Sequence, residues 1–214
     1  RPPRVQLPTA TYNVIVAYGQ SLAEGAETWP SLSKTPAPGA LMIGDNVDNL
    51  VEHTFNAMGD DVFNPLVAYT RSGGANLDGA GEAALAPGST NFGEPPVIGL
   101  TNGLKGWLND RSLLDNDGRY LVALSPGTGG RTIEQLSKVN TQDATNRWNA
   151  LTACVGMAVT LADADTCVWP VLAWLQGEWD YLEDYGSINA TRALYSAALD
   201  TLLDDANDDA VTLT

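Results

Sequence analysis

One serine stands where an apolar run stops. Tyr12-Asn-Val-Ile-Val-Ala-Tyr18 reads as a buried strand, and Gly19-Gln20-Ser21 ends it. In open α/β sheets ligands bind beyond the C-terminal ends of the strands, so the position suits a nucleophile. A serine hydroxyl is a weak nucleophile and needs a base beside it. The backbone N–H of Ser21, at the start of a loop or helix, is also placed to stabilise an oxyanion. Taken alone, the same serine reads equally as a helix cap. A second cluster, Trp174-Leu-Gln-Gly-Glu-Trp-Asp-Tyr181, has the same order of apolar run, polar residues and glycine. There Gln176 offers a side-chain amide to developing negative charge, and Glu178 or Asp180 would order the site or orient a base. Trp179 and Tyr181 offer faces for a sugar, or simply bury area. The third cluster is Gly127-Thr-Gly-Gly-Arg-Thr132, whose glycines let backbone amides approach an anion. It lacks the Gly-Lys-Ser/Thr ending of a nucleotide phosphate loop, and as a plain strand-to-helix turn it would need no ligand. The single histidine, His53, lies in the polar stretch 49–55 and reads as a surface residue.

The elements that must position these groups follow from periodicity. Tyr120-Leu-Val-Ala-Leu-Ser125 and Val168 to Leu175 are further apolar strands. Helices are expected from Pro95-Pro96 through Trp107, with Val97, Leu100, Leu104 and Trp107 inward, and from a cap at Asp143 or Thr145 to Ala162. A last helix starts at Ser187 or Asn189 and runs to about Ala206, with Ile188, Tyr195, Leu199 and Leu202 on one side. Ile133 to Leu136 makes one short helical turn. Residues 23–64 and 71–96 read as irregular connections, and long connections are often functional. Residues 1–11 form a proline-rich arm or linker, and 12–214 one domain. Continuous apolar strands alternating with helices mean an α/β protein with a mostly parallel sheet covered on both faces. Val211-Thr-Leu-Thr214 reads as the start of one more strand, which would leave the domain C-terminally incomplete.

Composition narrows the partners. The chain has 214 residues, 44% hydrophobic and 17% charged, with a formal net charge of −15. That balance repels phosphate backbones and anionic membrane surfaces, so neither nucleic acid nor membrane is expected as a partner. No apolar run is long enough for a membrane span and no signal peptide is visible. Two cysteines, Cys154 and Cys167, are too few for a disulfide scaffold; a single bridge between them stays open. No paired Cys/His spacing for zinc is present.

In combination the clusters resemble the SGNH hydrolases, nearest the sialate O-acetylesterase-like carbohydrate esterases of bacterial and phage proteins. The matching blocks are Gly19-Gln20-Ser21, Gly127-Thr128-Gly129-Gly130 and Trp174-Leu175-Gln176-Gly177-Glu178-Trp179-Asp180, in order. Phe92-Gly93-Glu94-Pro95 resembles the family's Gly-Glu segment before a helix. The resemblance implies a three-layer α/β/α sandwich with a flavodoxin-like sheet. It implies Ser21 as nucleophile and an oxyanion hole from the amides of Ser21 and of Gly129 or Gly130 with the Gln176 side chain. Gln20, Glu94, Glu178 and Asp180 would support the site, and Trp179 would stack on substrate. It further implies an O-acetylated carbohydrate or polysaccharide substrate outside the cell or on a virion, and no metal or other cofactor. The family's Asp-x-x-His block is missing, and His53 is misplaced for it. Either a further segment or another chain supplies the catalytic Asp and His, or the domain is a non-catalytic carbohydrate-binding or structural module. On the first reading the 214-residue chain alone is expected to be inactive, since loss of the base costs several orders of magnitude in rate.

Overall fold

The computed structural model describes residues 10–86, 91–110, 118–181 and 188–214. Most of the expected arm 1–11 lies outside them, as does Ser187. In chain order the strands are β1 (Tyr12–Gly19), β2 (Ala40–Ile43), β3 (Phe63–Pro65), β4 (Arg71–Ser72), β5 (Ala75–Asn76), β6 (Asn91–Phe92), β7 (Tyr120–Leu124) and β8 (Cys167–Leu175). The helices are α1 (Gly79–Ala83), α2 (Pro96–Asp110), α3 (Ile133–Leu136), α4 (Trp148–Ala162), α5 (Glu178–Tyr181) and α6 (Arg192–Leu213).

The main sheet has the order β3-β2-β7-β1-β8. β1 pairs in parallel with β7 and β8, and β2 with β7; only β3 runs antiparallel, on β2. The C-terminal ends of β1, β7 and β8 therefore share one edge, and the three polar clusters follow directly from them. Alternation along β1 sends its side chains to two cores. Val14, Val16 and Tyr18 pack with α3, α4 and α6 through Leu136, Leu151, Val155 and Leu202. Ile15 and Ala17 pack with α2 through Val97, Ile98 and Leu108. Each fully buried side chain of this size contributes about 1.5–3 kcal/mol. The result is the expected three-layer, mostly parallel α/β/α class. The strand order differs in detail from the 2-1-3-4-5 of flavodoxin, because β7 rather than β1 lies next to β2.

Other expectations are corrected. Residues 23–64 and 71–96 are not wholly irregular: they contain β2 and β3 and a small sheet of order β5-β4-β6. α2 turns a partly different stripe inward: Val97 and Leu104 pack on the core as expected, but Ile98, Thr101, Lys105 and Leu108 are buried and Leu100 and Trp107 exposed. Lys105 fits there because its Nζ donates to the Arg119 carbonyl at 2.6 Å. α4 starts at Trp148 after Arg147, which makes no side-chain cap; Asp143 instead binds the Arg147 guanidinium. α6 is capped by Thr191 and leaves Ile188 exposed before it. It continues through Leu213, so Val211 to Leu213 are helical and do not begin a strand. Leu202, Ala206, Ala210 and Leu213, at spacings of four, four and three, keep one apolar stripe on the core to the end of the helix. Cys154 and Cys167 are both buried and free. Among the described residues no helix is long and apolar enough to cross a membrane.

Candidate functional site

β1 ends at Gly19 (φ 150°), where a Cβ would fall 2.1 Å from the Leu175 carbonyl oxygen. Only glycine lets β1 and β8 run this close at the sheet edge. The Gln20 N–H then donates to Leu175 O at 3.1 Å, and the chain winds into a helical turn through Ala23 N–H to Gln20 O at 2.8 Å and Glu24 N–H to Gln20 O at 3.3 Å. Ser21 sits half-buried in this turn. Its hydroxyl makes no hydrogen bond among the described residues.

The loop after β7 is laid against the same turn. Thr128 N–H donates to Gly19 O at 2.9 Å, and Ser125 Oγ to Ala23 O at 2.7 Å. A Cβ on Gly129 would lie 2.9 Å from Glu24 Oε2, 3.6 Å from Ser21 Cβ and 3.7 Å from Ser21 Cα. Ser21 and Glu24 thus both border the open side of Gly129, and the Gly129 amide lies near enough to the Glu24 carboxylate to favour its charged form. Gly130 (φ 67°) packs under the Trp179 ring, 3.5 Å from where its Cβ would be. Trp179 is half-buried against this loop.

The end of β8 supplies a bonded network. Gln176 Nε2 donates to Arg131 O at 3.1 Å and to the Asp180 carboxylate. Asp180, buried, also accepts from the Ile133 N–H at 2.8 Å, which ties α5 to the start of α3. The Tyr195 hydroxyl lies 2.7 Å from Gln176 O and 2.9 Å from Gln176 Oε1, and accepts from Trp174 Nε1 at 2.9 Å. Gln176 therefore reaches the glycine loop at Arg131, and its amide hydrogens are engaged within the protein. Gln20 Nε2 donates to Glu178 Oε2 at 2.5 Å, leaving Gln20 Oε1 buried without a partner. Glu94 stands apart from these groups. It accepts from the Leu32 and Ser33 amides and from Ser33 Oγ, and holds the 31–33 segment. Its neighbour Gly93 docks on the turn after Ser21, its N–H donating to Gly25 O at 2.8 Å.

A cleft of about 280 Å³ opens beside the glycine loop, with Glu24, Glu52, Arg71, Phe92, Thr128 and Gly129 on its walls. The sequence reading passed over three groups here. Glu24 is pushed up to about 7, first by burial and then by Asp48, against the Gly129 amide and Arg71; Glu52 raises it further. Asp48 is pushed up to about 6 by burial, although Arg71 opposes the rise. Arg71 Nε donates to Asp48 Oδ2 at 2.7 Å, Nη1 to Gly73 O at 2.9 Å, and the guanidinium lies 4.0 Å from the Phe92 ring centroid. The signal for Glu24 was its spacing, three residues after Ser21; Asp48 and Arg71 lie in aperiodic stretches that gave none. His53 is exposed, next to Glu52 in the loop that forms the far wall. On the other side of Ser21, Leu22, Leu175 and Tyr181 edge a shallow apolar groove. Together the edge presents an unbonded hydroxyl, an adjacent backbone amide and a carboxylate that changes charge near neutral pH.

No protein-family model matches the chain, and no curated protein matches it in sequence. Among solved structures, it is similar to a protein from Arabidopsis thaliana determined by X-ray crystallography. The likeness has a TM-score of 0.53 and 13% sequence identity, and covers 94% of this chain and 69% of that one. At that identity the likeness speaks to the fold alone, and the chemistry must be argued from the side chains at the sheet edge.

Proposed function

We propose that this chain is a serine esterase domain of SGNH type that removes O-acetyl groups from carbohydrate, with the polysaccharide outside the cell or on a virion. The observation that carries the reading is Ser21 at the C-terminal edge of a parallel sheet, its hydroxyl without a hydrogen bond among the described residues and its Cβ 3.6 Å from where a Gly129 Cβ would be. Ser21 Oγ attacks the ester carbonyl. The amides of Ser21 and of Gly129 or Gly130 stabilise the tetrahedral oxyanion. The sugar alcohol leaves, and water releases acetate from the acyl-serine. Gln176 holds the glycine loop in place through Arg131 O, and donates to the oxyanion only if it releases one of its present partners. Trp179 packs beside Gly130 and would reach substrate only from there.

The test is a fluorophosphonate probe together with 4-nitrophenyl acetate and acetylated xylan as substrates. Labelling and acetate release are expected, and Ser21→Ala is expected to abolish labelling and to lower turnover at least about 10³-fold. A second reading, a carbohydrate-binding or structural module, is favoured by the engaged state of the Gln176 amide. Sugar binding without any Ser21 labelling would select it.

A further inference from the structure

We propose that the Glu24 carboxylate is the proton acceptor for Ser21, so that this chain carries its own base in place of a histidine. The inference rests on the esterase reading above. A serine nucleophile needs a base within hydrogen-bond reach, directly or through one water. The only histidine of the sequence, His53, is exposed and does not line the cleft, although its neighbour Glu52 does. Ser21 and Glu24 lie three residues apart in one helical turn, a spacing that puts two side chains on one face. A Cβ on Gly129 would lie 3.6 Å from Ser21 Cβ and 2.9 Å from Glu24 Oε2, so both side chains border one spot. The two are not hydrogen-bonded to each other in this structure, and the proton passes through one water or after a turn of the Ser21 rotamer.

Glu24 also has a base's electrostatics. Its carboxylate forms no ion pair among the described residues, and the Gly129 amide beside it favours the charged form. The charged groups facing it are spoken for: Arg71 is committed to Asp48 and Gly73 O, and Glu52 to Arg131 and Arg147. Burial and Asp48 hold its proton affinity near neutral, where a general base is most useful.

The step balances without any group from outside. As Oγ bonds to the ester carbon, its proton passes to Glu24 and the carbonyl π pair becomes the oxyanion. When the intermediate collapses, the ester C–O bond breaks and Glu24 returns the proton to the leaving alkoxide. Glu24 then takes a proton from the water that attacks the acyl-serine and gives it to Ser21 Oγ as acetate leaves. The Gly129 amide, one of the oxyanion donors, lies beside the Glu24 carboxylate. Protonation of Glu24 in the first step weakens that contact as the oxyanion appears to claim the amide.

This reverses the expectation, drawn from the missing Asp-x-x-His block, that the 214-residue chain is inactive. The test is kcat/KM for 4-nitrophenyl acetate between pH 5 and 9 for the chain and for Ser21→Ala, Glu24→Gln, Glu24→Ala and His53→Ala, with thermal melts for each. Ser21-dependent turnover is expected, rising through an inflection near pH 7. Glu24→Gln should fall about 10²–10⁴-fold and lose the inflection, while His53→Ala stays at the parent level. Formate should partly restore Glu24→Ala. If Ser21→Ala is dead but Glu24→Gln, folded, stays within a few-fold of the parent with the same pH profile, the Glu24 assignment is overturned and the esterase stands. Turnover that disappears in His53→Ala also overturns it. If Ser21 is not labelled and the chain does not turn over, both readings fall.

Discussion

The ends of β1 and β8 lie side by side, joined through Gly19 and Leu175, yet their polar groups are treated in opposite ways. At the β8 end, Gln176 gives its amide to Arg131 O and Asp180, takes the Tyr195 hydroxyl, and leaves no side-chain bond open. At the β1 end the Ser21 hydroxyl is unbonded among the described residues, Gln20 Oε1 is buried without a partner, and Glu24 is held against its preference to ionise. Satisfied networks fix geometry; unsatisfied groups mark where a protein keeps capacity for a ligand or a reaction. On the esterase reading proposed above, the contrast gives positioning to β8 and chemistry to β1.

The contrast breaks most severely at the cleft wall. Arg71 and Asp48 form a buried pair at 2.7 Å, with side chains 7% and 1% exposed. Arg71→Ala leaves Asp48 buried without its cation and uncovers Phe92. A loss of about 3–5 kcal/mol in urea denaturation is expected at pH 8. The loss should shrink below pH 6, where Asp48 takes up a proton. An equal loss at both pH values would show that the pair matters through packing alone.

At the β8 end, Gln176→Ala deletes the bonds to Arg131 O and Asp180 and removes one of the two acceptors that face the Tyr195 hydroxyl. A loss of about 2–3 kcal/mol is expected. It should come with faster hydrogen exchange in the 127–131 loop, because that loop loses its tie to β8. A variant with unchanged exchange there would remove Gln176 from the positioning role.

Legibility in the sequence followed the range of the interactions. The strands at 12–18, 120–125 and 168–175 were visible because buried parallel strands are continuous apolar runs, and parallel strands send the residues after them to one edge. Ser21, Gly129 and Gln176 could be placed at that edge for this reason. β2 and β3 were missed because four and three residues among prolines and glycines show no period. The extension of α6 was missed because the stripe from Leu202 to Leu213 is spaced out by Asp204, Asp205, Asp208 and Asp209. The Tyr195–Gln176 bond and the Arg71–Asp48 pair join residues 19 and 23 apart through the fold, and no local pattern encodes such partners. Glu24 stood in plain view, but its role depends on Gly129 from another strand and on burial, neither of which a single segment shows.

The smallest effect separates the two regions by its sign. In the unfolded chain Glu24 ionises near the ordinary 4.5, and in the folded protein near 7. Between these values the folded state binds more protons than the unfolded one, so the Glu24 contribution to stability falls as pH rises from about 4.5 to about 7 and stays low above it. Glu24→Gln keeps an acceptor for the Gly129 amide and removes the buried charge. It is therefore expected to stabilise the protein at pH 8, on the order of 1–2 kcal/mol, and to converge with the parent below about pH 4.5. Paired melts at pH 8 and pH 4 read the difference directly. A substitution that stabilises the fold while abolishing turnover is what a base held in an unfavourable site produces. Destabilisation at pH 8 would instead mean that ionised Glu24 supports the loop, and would move it to the same structural side as Gln176.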